Sequence, residues 1–168
     1  KNKISKSSKN IVLVHQVHSN KFIFLNNNPR KSKKIKADAI ITNVKKLPIE
    51  VLTADCVPVL LYDNREKIVA VIHAGWKGAI KGIISNVIGF MIKKGCSTNV
   101  ITAVIGPSIA QKSYEVKNDL RKKFLKKDKG NIVFFKERNK QIYFDLPDYV
   151  KSQLKLMKIS KIETVNIN

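Results

Sequence analysis

A chain of 168 residues can bury one hydrophobic core and is short for two. Its 43% hydrophobic and 27% charged residues exclude wholesale disorder, and two cysteines exclude a disulfide scaffold. Lysine and arginine number 33 against 12 aspartates and glutamates, so the formal charge is +21 and an anionic partner has to be considered.

No apolar run reaches the roughly 20 residues that span a bilayer, and the basic, polar residues 1–10 followed by a short apolar stretch do not form a signal peptide. The expectation is a cytoplasmic protein with no membrane attachment and reduced thiols. The positive charge is mostly lysine and is spread along the chain. It is densest at Arg30-Lys31-Ser32-Lys33-Lys34, Lys122-Lys123 and Lys126-Lys127-Asp128-Lys129, with a single tryptophan, Trp76. Lysine is a poorer bidentate reader than arginine, so this pattern is expected of a solvated face and not of a nucleic-acid reader. A basic binding module without metal chemistry stands as the rival reading.

In chain order, residues 11–17 are apolar and β-branched and predict a strand. Residues 21–25 predict another, with Ser19-Asn20 as the turn between them. A polar, basic loop opens at Asn26-Asn27-Asn28-Pro29 and runs to about Lys36. Short apolar runs follow at 39–42, 49–53 and 57–62, then a turn at Asp63-Asn64 and a nearly all-apolar strand at 68–72, as expected of one buried on both faces. Ile80, Ile83, Ile84, Val87, Ile88, Met91 and Ile92 recur at helical spacing and predict a helix over 78–94, ended by Gly95. A strand over 100–105 follows, then a helix over 118–125 with Asn118 as N-cap. A last helix starts near Asp145, carries Leu146, Val150, Leu154 and Met157 on one side, and tolerates Pro147 in its first turn. No repeat or linker divides the chain. The fold class is α/β (α+β): one domain over 1–168 with central mixed β-sheets and helices outside.

Side chains able to hold a soft metal are few: His15, His18, His73, Cys56 and Cys96. The odd offset between His15 and His18 puts them on opposite faces of a strand, so one of them serves a given site. A lone strand histidine is more often packed or solvated than a ligand. Cys56 follows Asp55 between two apolar runs. Most free cysteines are small buried hydrophobes, but the neighbouring acid needs a fixed partner and could orient a histidine or accept a proton. Cys96, after a helix-ending glycine, reads as structural, and a Cys56–Cys96 disulfide is not expected in a reducing compartment. In His73-Ala74-Gly75-Trp76-Lys77-Gly78 a buried strand delivers His73 to its carboxyl end and a helix begins at once, an arrangement where ligands gather. Trp76 is either a core anchor or a stacking platform. Gly106-Pro107-Ser108 is a similar strand-end turn. His18, Cys56 and His73 together make one thiolate and two imidazoles at strand ends, a set that suits zinc with a fourth position open, though not at zinc-finger spacing.

Six stretches carry a resemblance: Gln16-Val17-His18-Ser19, Ala37-Asp38-Ala39-Ile40-Ile41-Thr42, Thr53-Ala54-Asp55-Cys56-Val57-Pro58-Val59-Leu60-Leu61, His73-Ala74-Gly75-Trp76-Lys77-Gly78, Ile105-Gly106-Pro107-Ser108-Ile109 and Asp145-Leu146. In this order they resemble the YfiH-like family, variously called multicopper polyphenol oxidoreductase (laccase-domain) or purine nucleoside phosphorylase. The resemblance implies sheets sandwiched between helices and a zinc held by His18, Cys56 and His73. It also implies phosphorolysis of adenosine, inosine, guanosine or methylthioadenosine and deamination of adenosine, with a purine nucleoside and phosphate as partners. Asp55 and Lys77 are then the catalytic candidates, and Gln16, Gly75, Trp76, Gly78, Gly106 and Ser108 the substrate-binding ones; the turn amides of 75–78 are further candidates for holding an anion. The laccase label implies copper and phenol oxidation, and some bacterial relatives are linked to peptidoglycan editing. Measured against the family pattern, the chain is expected to lack an Arg- and Gly-rich N-terminal segment and a C-terminal Cys-Thr and Ser-x-Arg-Arg stretch, which would impair phosphorolysis. A monomer is expected.

Overall fold

The computed structural model describes residues 11–29 and 35–165. The basic cluster at 30–34, the polar start at 1–10 and residues 166–168 lie outside the described residues. In chain order the strands and helices are β1 (Val12–Leu13), β2 (Phe22–Leu25), β3 (Ala39–Thr42), β4 (Ile49–Glu50), β5 (Val57–Asp63), β6 (Ile68–Ala74), α1 (Trp76–Ile80) and α2 (Ile83–Lys93). Then come β7 (Thr102–Ile105), β8 (Glu115–Val116), α3 (Asn118–Lys127), β9 (Phe135–Arg138), β10 (Gln141–Phe144), α4 (Leu146–Leu156) and β11 (Lys161–Thr164). The main sheet has the order β11-β7-β5-β6-β3-β2, with β11 parallel to β7, β2 parallel to β3 and the inner pairings antiparallel. A second sheet, β8-β10-β9, is antiparallel, and β1 and β4 form a parallel pair. The fold is mixed α/β, as the residues predict.

Strand periodicity sets the layers. Along β5, Val57, Val59, Leu61 and Asp63 are buried, whereas Leu60 and Tyr62 face outward. Central β6 is buried on both faces: Ile68, Ala70, Ile72 and Ala74 join the main core, and Val71 joins a smaller one with Val12, Val14, Ala37, Ile40 and Leu47. On the main face α2 sinks Ile83, Ile84, Val87, Ile88 and Met91, and α4 sinks Leu146, Tyr149, Val150 and Leu154. Each of these side chains contributes about 1.5–3 kcal/mol by leaving water. Helices thus flank the sheet on this face, while over β3 and β6 the other face carries the small core under β1 and β4.

Several elements depart from the sequence reading for identifiable reasons. The strand expected over 11–17 shrinks to β1, which pairs with β4, so no hairpin joins it to β2. The Gln16 amide both donates to the Leu52 carbonyl and accepts from the Leu52 N–H at 2.8 Å, and the next N–H groups turn to a carboxylate instead of a ladder. The single helix expected over 78–94 is two helices, broken at Gly82, whose φ of 85° lies in the left-handed region. The Asn20 amide donates to the Lys81 carbonyl freed by that break. Asn118 is the first residue of α3 and caps nothing; Lys117 holds the cap position. Asp145 does cap α4, accepting from the Asp148 N–H at 2.9 Å. The β9–β10 hairpin and β11 were not predicted. The hairpin turn, Asn139-Lys140, has φ of 50° and 63°, a primed turn that suits the twist of paired strands. Among the described residues no helix is long and apolar enough to cross a membrane.

Candidate metal centre and its cavity

Two loops and one strand at the same end of the sheet bring the soft ligands together. His73 is the penultimate residue of β6, Cys56 immediately precedes β5, and His18 sits in the bend before β2. Their ligand atoms all lie within 4.8 Å of one another, and Cys56 Sγ is 3.7 Å from His18 Nε2. For zinc–sulfur and zinc–nitrogen bonds of about 2.3 and 2.05 Å, a tetrahedral ion separates sulfur from nitrogen by roughly 3.6 Å. The observed pair is already at that spacing, so the residues present fit the metal. His15, exposed and bridged to Lys36, takes no part.

The keystone of the arrangement is Asp38, fully buried just before β3. Its carboxylate accepts from the N–H groups of Val17 (3.2 Å), His18 (2.9 Å) and Ser19 (2.6 Å) and from the Ser19 hydroxyl (2.7 Å). It also receives His73 Nδ1 at 2.9 Å. An ionised carboxylate only accepts, so Nδ1 carries the proton and Nε2 keeps its lone pair for a metal. The same contacts hold His18 at φ 56°, in the left-handed region that is uncommon for a non-glycine residue. Burial raises the Asp38 pKa, but the bonds from Ser19, His73 and the backbone outweigh it and hold the carboxyl below its ordinary value.

Two of the ligands, His18 and Cys56, are tuned toward neutrality. Burial, then the charges of His73 and Lys77, lower His18, with Asp38 opposing. Burial, then Asp55 and Asp38, raise the Cys56 thiol. A cation at the cluster would reverse that balance for the thiol, since a metal-bound sulfur is deprotonated outright. Gly75 makes the cluster sterically possible. A Cβ there would lie 2.6 Å from His18 Cδ2 and 3.0 Å from Cys56 Sγ.

A cavity of about 260 Å³ opens onto His18 and Cys56 and is lined by Asp55, Trp76, Lys77, Ile109, Tyr114 and Leu146. A neighbouring hollow of about 530 Å³ shares Asp55 and Ile109 and adds Ser108. Ile109 N–H donates to the Asp55 carbonyl at 3.0 Å, which draws the loop after β7 against the one before β5. Together they have the dimensions of a small-molecule site. Of the residues picked from sequence, His18, Asp55, Cys56, Trp76 and Lys77 meet at this cavity, and Ser108 stands beside it. Gln16 clamps Leu52 outside the lining. Gly78 packs on the Ser19 carbonyl and Gly106 on Pro58, where a Cβ would come within 2.6 and 2.8 Å. Asp55 is exposed on an irregular segment, so it needs no buried partner; the carboxylate that orients a ligand is Asp38.

Sequence reasoning missed Asp38 and Tyr114 as parts of the site. The signal for Asp38 was an acid between two alanines at the mouth of a wholly apolar run, Ala37-Asp38-Ala39-Ile40-Ile41. Nothing local marks Tyr114, which reaches the cavity through the turn at Gln111–Ser113 and whose hydroxyl is pushed up by burial and then by Cys56 and Asp55.

A mixed α/β domain with a His–Cys–His group at the end of its main sheet defines a class of domain able to hold a metal. The chain belongs to the family described as multi-copper polyphenol oxidoreductase laccase, which matches residues 1–168. It is 42% identical over 160 residues to "Purine nucleoside phosphorylase RP494" of Rickettsia prowazekii, a match covering 94% of this chain and 65% of that protein. It is also 42% identical over 89 residues to "Adenosine deaminase RL5" of an unknown prokaryotic organism, covering 53% of this chain and 34% of that one. The crystal structure of Bacillus licheniformis hypothetical protein YfiH superposes with a TM-score of 0.81 at 24% identity, covering 94% of this chain and 63% of that chain. The matches therefore span from about one third to just under two thirds of the length of these relatives.

Proposed function

We propose that this chain is the metal-bearing domain of a zinc-dependent purine nucleoside enzyme, acting by phosphorolysis of adenosine, inosine, guanosine or methylthioadenosine and by deamination of adenosine. The observation that carries the reading is the shared space: His18 and Cys56 of the His18–Cys56–His73 group border one cavity with an acid, an ammonium and an aromatic ring, while buried His73 completes the group behind them. The names of the relatives from Rickettsia prowazekii and the unknown prokaryote point to the same substrate class. One mononuclear group of a thiolate and two imidazoles suits zinc with a fourth position open and is not the multi-copper cluster that a laccase requires.

Zinc bound by these ligands supplies Lewis acidity and lowers the pKa of water. Asp38 orients His73 and holds the His18 turn. Asp55, at the cavity edge, moves the proton at the purine ring nitrogen or the leaving amine during deamination. In phosphorolysis Lys77 neutralises the phosphate that attacks the ribose carbon as the base leaves. Trp76, Tyr114, Ile109 and Leu146 form the walls against a planar base.

The test is a nucleoside panel assayed with and without phosphate, using zinc-loaded and chelator-treated protein, with released bases and inosine resolved by chromatography. Phosphate-dependent release of base, or inosine formed from adenosine, is expected, each falling by more than about a hundredfold in Cys56→Ala. Full turnover after chelation and in Cys56→Ala would overturn the proposal.

A further inference from the structure

The Trp76 ring, at the start of α1 and on the wall of the metal cavity, carries two ammonium groups. Lys77 Nζ lies 5.6 Å and Lys123 Nζ 5.5 Å from its centroid. Lys123 comes from α3, and its position is set by helix packing: Phe124 beside it is fully buried in the core, and Lys127 one turn on donates to the Ile80 carbonyl at the end of α1. Two like charges on one ring repel, and cation–π attraction at partly exposed sites offsets little of that. Among the described residues the ion pairs are Arg65–Glu66, His73–Asp38 and Arg121–Glu137, so neither lysine has a carboxylate partner. The one acid lining the cavity is Asp55. A cationic pair without a counter-ion, held beside a ligand cavity in a chain of charge +21, is suited to an incoming oxyanion.

We infer that Lys77 and Lys123 form, about the Trp76 ring, a subsite for a phosphoryl oxyanion, either free phosphate or the phosphate ester of a nucleotide. The inference rests on the purine nucleoside reading for its ligand class and adds a residue, Lys123, that lies in none of the sequence motifs. In this subsite both ammonium groups contact the oxyanion, and the Trp76 ring they flank is also the base-binding wall nearest that contact.

Trp76 is the one tryptophan, so its fluorescence reports on this subsite alone. Inorganic phosphate and adenosine 5′-monophosphate are each titrated into the zinc-loaded chain, with sodium chloride at matched ionic strength as the blank. A saturable change is expected, with Kd raised about tenfold by Lys123→Ala and by Lys77→Ala. Lys123→Arg should restore most of the affinity, and Lys122→Ala, on the same helix, should leave it unchanged. Tighter binding of the nucleotide would assign the subsite to an ester, and tighter binding of phosphate to the free ion. No saturable change with either probe, or a Kd that Lys123→Ala leaves within about twofold, would overturn the inference. The turnover assay separates it from the function above. Binding that depends on Lys123 in a protein without nucleoside turnover refutes the function and leaves the subsite standing. Phosphate-dependent turnover whose phosphate KM ignores Lys123→Ala does the reverse.

Discussion

Replacing Asp38 by Asn tests the keystone of the metal centre. The substitution keeps shape and volume, so no cavity forms; what changes is charge and one acceptor. If the amide oxygen keeps the Oδ1 position, His18 N–H and His73 Nδ1 retain a partner. The new NH₂ group then faces two donors, Ser19 N–H at 2.6 Å and the Ser19 hydroxyl at 2.7 Å. The hydroxyl can rotate to accept, but the backbone N–H cannot. Bonds to charged acceptors are worth about 1.5–3 kcal/mol each, and a buried donor left facing another adds to the loss, so the expected cost is about 3–5 kcal/mol. That leaves a folded protein if stability lies in the usual range of about 5–15 kcal/mol. Zinc affinity should fall about 10–100-fold, because the tautomer and orientation of His73 and the left-handed turn at His18 depend on the same group. Urea unfolding of the chelated protein gives the first quantity and competition with a zinc-binding dye the second. A loss under about 1 kcal/mol together with affinity within about twofold of the parent would refute the role given to Asp38.

Gly75→Ala should cost about 1–3 kcal/mol and weaken zinc binding more than about tenfold, read by the same two assays, because its Cβ would press on His18 and Cys56. Asp63 accepts from the N–H groups of Arg65 and Glu66 at 2.9 Å and Ser97 at 3.1 Å. Burial raises its pKa, but these bonds prevail and its folded pKa is lowered, so its stabilisation is present above the ordinary carboxylate value and lost as pH falls through the folded one. Stability measured from pH 7 downward should therefore show a shallower acid limb in Asp63→Asn, at an overall cost of about 2 kcal/mol at neutral pH. Burial, followed by the charge of Asp63, pushes the Cys96 thiol up to about 12. Chelated native protein should accordingly take up one equivalent of a thiol reagent at Cys56, read by mass spectrometry of peptides, and Cys96 should react only on unfolding.

The layered α/β core was legible because periodicity is a local property of the chain. The apolar runs of β3, β5 and β6 and the isoleucine stripe of α2 bury large areas, and burial of that size enforces the pattern. The metal ligands were legible for another reason: soft donors are rare here, and His18, Cys56 and His73 each stand at the end of an apolar run. What escaped depends on groups distant in sequence. Gln16 ends a strand by binding Leu52, and Asp38 draws in the N–H groups of Val17, His18 and Ser19, neither of which alters the apolar pattern of residues 11–17. The break at Gly82 is tolerated because Asn20 satisfies Lys81, a contact across 61 residues. Strands β9 and β11 are short, charged and largely exposed, and β10 is only four residues long with one of them fully buried, so backbone pairing holds them with little hydrophobic signal. Asp55 stands between apolar runs but is exposed, whereas Asp38, flanked by buried Ala37 and Ala39, is the acid that requires fixed partners.

Whether His18, Cys56 and His73 hold a metal is decided by metal content. Protein purified without added metal and then equilibrated with zinc under dialysis should retain close to one zinc per chain by elemental mass spectrometry. His18→Ala, Cys56→Ala and His73→Ala, each still folded by circular dichroism, should retain almost none. Parent protein that binds no zinc, or a folded Cys56→Ala variant that still holds a full equivalent, would contradict the assignment of His18, Cys56 and His73 as a metal centre.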